Sequence, residues 1–181
     1  MASISFTLPI FLTIIFFLPL KIIPTIGTNA DETRIHFYYQ ERTKPPNATA
    51  IKVVSSPIEH ANPIFAFGNI FVFDDPITED LDPASHLLGR VQGQLVIVSL
   101  DGNDGLYTLN IHFTNLSPWT GSTLTVIGRN PTQQTVKELP VVGGTGLFRL
   151  ARGYVVVTRL TPIDSPSGIL TFLVNATLFN H

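Results

Sequence analysis

The 181-residue chain has no cysteine, which excludes disulfides, thiolate catalysis and zinc–sulfur centres. Charge is scarce: Asp, Glu, Lys and Arg make up 13% of the residues and hydrophobic ones 44%, whereas charged residues are about a quarter of an ordinary soluble domain. That shortage predicts a surface covered by an oligomer interface, by glycan, or by both. A formal net charge of −2 and the lack of any Lys/Arg cluster remove the electrostatic footprint of a nucleic-acid binder. Signatures of hydrolytic and metal chemistry are missing as well. The histidines His36, His60, His86, His112 and His181 show no zinc-ligand spacing, and there is no Gly-x-Ser-x-Gly elbow. The run Val141-Val142-Gly143-Gly144-Thr145-Gly146 lacks the Gly-Lys-Ser/Thr ending of a phosphate loop, and reads instead as a tight hairpin using positive φ. No metal and no cofactor are expected.

What is present begins with an uncharged apolar run over residues 4–20, followed by Lys21 and by the small-residue exit Thr28-Asn29-Ala30. Together these predict a signal peptide over 1–30 and a mature domain over 31–181. A permanent anchor is the competing reading, but Pro9 and Pro19 interrupt a stretch already short for a span. Three sequons agree with secretion: Asn47-Ala48-Thr49, Asn115-Leu116-Ser117 and Asn175-Ala176-Thr177. Export to the extracellular space, with glycans on Asn47, Asn115 and Asn175, is therefore expected.

Beyond Asp31 the apolar residues alternate with a period of two between turn signals. Strands are expected at 34–41, 48–55, 64–74, 86–100, 105–115, 121–129, 147–160 and 168–179, with turn chemistry between them. Strands without helices imply an all-β sandwich or closed barrel. Gly89 and Gly93 on one face of one strand favour the barrel, because missing side chains permit strong bending. A glycan on Asn175 would point outward and turn Leu170, Phe172, Val174, Ala176 and Leu178 inward. Over 65–73 both faces are apolar, with Phe65, Phe67, Phe71 and Phe73 on one of them. One face would line the lumen and the other would meet a neighbouring subunit; the phenylalanines fit plain core as well as a ligand site.

Two acidic features invite chemistry. Asp74-Asp75-Pro76 brings carboxylates together, but neighbouring strand residues point to opposite faces, and Asp before Pro also suits a turn. Asp75 shares the parity of the phenylalanines, at the edge of whatever cavity they line. Glu41 ends the row Ile35, Phe37, Tyr39, Glu41. A carboxyl there is either exposed at a strand end or held at an apolar rim, where a raised pKa would let it exchange protons with a ligand.

At this point a resemblance emerges. His36-Phe37-Tyr38, Phe67-Gly68, Asp74-Asp75-Pro76-Ile77-Thr78, Gly89-Arg90-Val91-Gln92-Gly93, Gly121-Ser122-Thr123-Leu124, Gly128-Arg129-Asn130-Pro131, Val141 through Arg149 and Ala151-Arg152-Gly153-Tyr154 occur in the order seen in plant dirigent proteins. The chain resembles that family from about residue 34 to its end. The resemblance implies an eight-stranded antiparallel β-barrel, assembled as a homotrimer and secreted to the plant cell wall. It also implies a binding partner that is a phenolic small molecule, with a laccase or peroxidase generating the phenoxy radicals whose coupling the protein directs. Some relatives are dehydratases that close a pterocarpan ring. The resemblance makes Glu41 the candidate acid, where lignan-forming members carry Asp. It aligns Asn130 with a second family Asp and Lys137 with a family Arg. Tyr39, Phe67, Asp75, Asn130 and Lys137 are thus the candidate pocket residues. Three functions follow as expectations: a non-oxidising guide for radical coupling, a cofactor-free cyclase of a flavonoid-type phenol, and a wall-binding protein without stereochemical activity.

Overall fold

The computed structural model describes residues 32–179; the expected signal segment lies outside them. Nine strands follow in chain order: β1 (Glu32–Arg42), β2 (Ala50–Val54), β3 (Ile70–Thr78), β4 (Leu87–Ile97), β5 (Asp104–Phe113), β6 (Thr123–Pro131), β7 (Val136–Thr145), β8 (Arg152–Arg159) and β9 (Ile169–Phe179). Each neighbouring pair is antiparallel, in the order β1-β9-β8-β7-β6-β5-β4-β3, and pairing of β1 with β3 closes an eight-stranded barrel. β2 adds to the outer end of β3, opposite the stretch that β1 does not reach. Closure leaves no long open edge for another chain to pair with.

Alternation does most of the folding work. On β9 the inward row Leu170, Phe172, Val174, Ala176 and Leu178 is buried while Asn175 faces out, as the sequon argument requires. On β5 the inward row is Gly105, Tyr107, Leu109, Ile111 and Phe113. Gly89 and Gly93 of β4 lie opposite Phe113 and Leu109. A Cβ on either would come within 2.0 Å of a backbone carbonyl oxygen of β5, so glycine is required where the wall curls this tightly. Between β4 and β5, Asp101 accepts a bond from the Asn103 amide while Gly102 takes φ +73°, the turn chemistry expected there.

The structure departs from the expected strands in three places. Residues 64–69 form turns, with Gly68 at φ +90° breaking the alternation, so Phe67 does not share the strand face of Phe71 and Phe73. Asp74-Asp75-Pro76 is mid-strand and not a turn; Pro76, which has no N–H to give, falls where β3 passes from pairing with β2 to pairing with β1. Finally, β7 replaces the hairpin expected at Gly143 and Gly144. Those glycines sit opposite Thr125 and Leu124, and a Cβ on Gly144 would stand 2.2 Å from the Thr123 carbonyl oxygen. Glycines that read as a turn serve a strand instead, where Gly144 permits close approach to β6.

The inward rows fill the barrel unevenly. At one end Phe37, Phe113, Phe148 and Trp119 interlock, with ring centres 6.1 Å apart for Phe37–Phe113, 5.6 Å for Phe113–Phe148 and 6.1 Å for Trp119–Phe148. Leu124, Val126, Leu139 and Val155 complete the buried apolar cluster. At the other end the rows turn polar, and the lumen stays open.

Candidate functional site

The open half contains a cavity of about 430 Å³. Its walls are Phe65, Phe71, Phe73, Leu95, Leu170 and Phe172, and its polar lining includes Glu41, Tyr107, Asn130, Lys137 and Arg159. Four of these groups end apolar inward rows, and Tyr107 follows Gly105 near the start of the β5 row: Glu41 follows Phe37 and Tyr39 on β1, Asn130 follows Leu124 and Val126 on β6, Lys137 precedes Leu139 and Val141 on β7, and Arg159 follows Val155 and Val157 on β8. The antiparallel ladder brings these ends to one mouth.

Electrostatics follow from burial. Desolvation raises the Glu41 carboxyl to about 7, with the Lys137 cation pulling the other way. Asp75, fully buried behind the cavity wall, is pushed up to about 8, first by desolvation and then by the Glu41 charge. The Thr49 hydroxyl donates to Asp75 Oδ1 and opposes that rise, whereas Oδ2 has no partner. Lys137, 6% exposed, is lowered to about 8 by desolvation first and by the Arg159 cation second. Its Nζ stands 5.7 Å from the centre of the Tyr107 ring, a cation–π distance. Burial also drives the Tyr39 and Tyr107 hydroxyls upward, so both remain protonated donors at neutral pH. Asn130 belongs to the lining and is buried with its Oδ1 unpartnered, a cost to the fold at this end of the barrel.

Of the sequence candidates, Glu41, Asn130 and Lys137 therefore meet in one lining. Tyr39 stacks on Phe172 at 4.5 Å and supports the wall from behind. Asp75 is coupled to the site through the Glu41 charge and does not itself line the cavity. Phe67 is outside the lining; Phe65, two residues earlier in the same turn, occupies it. Sequence reasoning missed Tyr107 and Arg159. A signal existed for both: a hydroxyl-bearing ring and a cation continue rows that are otherwise apolar. Thr49 had no such signal, because it comes from the loop between β1 and β2. The sequon residues Asn47, Asn115 and Asn175 are all exposed.

A closed antiparallel barrel with a binding chamber at one end defines the class of protein, and comparison with known proteins gives the family. The model for the Dirigent-like protein family matches residues 32–179. The chain is 35% identical over 148 residues to dirigent protein 23 of Arabidopsis thaliana, covering 82% of this chain and 78% of that one. It is 31% identical over 137 residues to pterocarpan synthase 1 of Glycine max, covering 75% and 72%. A solved pterocarpan synthase dirigent protein superposes with a TM-score of 0.74 at 28% identity, over 83% of this chain and 90% of that one. The chain belongs to the dirigent family.

Proposed function

We propose that the protein is a secreted dirigent protein that directs stereoselective coupling of phenoxy radicals made by a separate laccase or peroxidase, in phenylpropanoid or lignan-type biosynthesis. The observation that carries this reading is the cavity. Its wall of Phe65, Phe71, Phe73 and Phe172 matches flat phenolic rings, and its polar groups gather at one end. Such a chamber orients reactants and limits water, which is what facial selectivity requires. Coupling of phenoxy radicals leaves electrophilic quinone methides, whose ring closure needs a proton moved. Glu41, at about 7, exchanges one near neutral pH. The test is chiral chromatography of products from coniferyl alcohol and a laccase, with and without the glycosylated protein. Enantiomeric excess only in its presence supports the reading; a racemate under every condition overturns it for this phenol.

A second reading has its own support. Glu41 and Asp75 both hold protons at a pH where ordinary carboxyls have lost them, as an acid-catalysed dehydratase requires. The family resemblance includes pterocarpan synthases. Turnover of an isoflavanol without any oxidase would establish this activity, and its loss in Glu41→Gln would assign the acid.

The same proposal includes assembly and location. Ile51, Val72, Ile70, Val96 and Leu106 form an apolar outer surface across β2 to β5, through the pairs Ile51–Val72, Ile70–Val96 and Val96–Leu106. Ile51 is 52% exposed. Further copies of this chain, in a homotrimer, would cover it, and light scattering of the glycosylated protein would read three times the chain mass. Glycans on Asn47, Asn115 and Asn175 accompany passage to the extracellular space, and enzymatic deglycosylation would shift the mass of secreted protein.

A further inference from the structure

The lysines of the described residues are Lys44, Lys52 and Lys137. Lys44 is exposed and donates to the Pro166 carbonyl oxygen at 2.7 Å, and Lys52 on β2 borders the cavity but is itself exposed. Lys137 differs from both. Its amine is inside the barrel, takes part in none of the ion pairs of the described residues, and has a second cation, Arg159, in the same lining. Desolvation beside another cation is the arrangement that turns an ammonium into a neutral, nucleophilic amine.

The neighbours complete a reaction site. Val126 pairs with Val141, and the backbone at Gly128 lies against Leu139. Asn130, with its unpartnered Oδ1, and Lys137 end the inward rows of these two strands and share the cavity lining. Glu41 lines the cavity and its charge is felt at Lys137. The remaining wall is aromatic and aliphatic.

We propose that Lys137 captures flat, aryl-substituted conjugated aldehydes in the cavity as a reversible imine, with Glu41 moving the proton. The neutral amine attacks the carbonyl carbon, forming the C–N bond as the C=O π pair moves to oxygen. A proton passes from nitrogen to that oxygen to give a carbinolamine. Expulsion of the hydroxyl takes a proton from the Glu41 carboxyl. One water leaves, and a protonated imine faces the Glu41 carboxylate. Hydrolysis reverses each step, so no oxidant or reductant is consumed. The aromatic wall selects a flat carbonyl compound over an aliphatic one. This activity is separate from radical coupling and from ring-closing dehydration, and its readout is a covalent mass.

The experiment treats the glycosylated protein with cinnamaldehyde and sodium cyanoborohydride at pH 7.5, followed by peptide mapping. The expected result is one adduct on Lys137, formed at least about tenfold faster than on Lys44 or Lys52 and suppressed by excess cinnamyl alcohol, which has the shape without the carbonyl. Lys137→Arg keeps the cation and should lose that adduct with its melting temperature unchanged. Glu41→Gln should slow labelling about tenfold. Adducts confined to Lys44 and Lys52, or labelling that the alcohol does not protect, would overturn the proposal. The peptide map of the unmutated protein decides this even where a variant fails to fold.

Discussion

Phe37 and Glu41 stand on one face of the same strand, and the two halves of the barrel give them opposite surroundings. Phe37 meets Phe113 edge to face in the apolar cluster, fully buried. Glu41 meets a cavity of about 430 Å³. Both halves use the same alternation and the same ladder, so backbone geometry does not separate them. The difference lies in what the inward rows carry. Where every row contributes a large apolar side chain, the lumen closes at the density of a core. Where Glu41, Asn130, Lys137 and Arg159 end their rows and Tyr107 shares their lining, the walls stay apart and titratable groups lose water without gaining full partners. One half supplies stability, and the other spends some of it on unpaired polar atoms such as Asn130 Oδ1 and Asp75 Oδ2.

The sharpest way to break the comparison is truncation on each side. Phe37→Ala should cost about 3–5 kcal/mol in denaturant unfolding, while Phe71→Ala, on the half-buried cavity wall, should cost only about 1 kcal/mol and alter product ratio instead. Equal costs would mean that the cavity half is packed as a core. Next, Glu41→Gln should lower turnover of a closed-shell phenolic alcohol by about 10²–10⁴-fold with no fall in melting temperature, since the amide avoids a buried charge. Normal turnover would remove Glu41 from the chemistry.

The pH dependence of stability should then carry the signature of the hollow half. Because burial raises both carboxyls, the folded chain still holds protons that an unfolded chain releases near about pH 4. Stability is therefore full below that point and declines as pH rises through about 7 and about 8, where Glu41 and Asp75 ionise. Lys137 acts in the opposite sense: folded it loses its proton near about 8, and unfolded near about 10.4, so its contribution returns above pH 8. Thermal melts from pH 4 to pH 10 should show a decline to a minimum near pH 8, with Asp75→Asn flattening the acid side. A flat profile would mean that these groups are better hydrated than the lining implies. The smallest effect belongs to the exterior. Arg34→Ala removes the exposed Arg34–Glu32 pair, 2.8 Å long, and should leave the denaturant midpoint unmoved.

How much of this was legible follows from which signals are local. Inward rows on β1, β5 and β9 could be read from alternation, and the glycines of β4 predicted curvature before any pairing was known. The hairpin reading of Gly143-Gly144 hid β7 because glycine's two uses, turning and close approach, look alike until the opposing strand is in place. Phe67 was put in the wrong register by a turn that Gly68 makes possible. Glu41 was legible as a carboxyl ending an aromatic row, but whether that end met water or a cavity was open. Tyr107 and Arg159 carried the same kind of signal and went unread, because one polar residue near a strand end is ordinary.

The sequence by itself determined an all-β chain, the facing of most strands and the family, because side-chain parity is a property of consecutive residues and the family motifs run the length of the domain. Tertiary structure alone decided which row-ends converge. Glu41, Asn130, Lys137 and Arg159 come from four strands, and only closure of the barrel, with β1 meeting β3 and β9, brings them into one lining, where the charges of Arg159 and Glu41 act on Lys137.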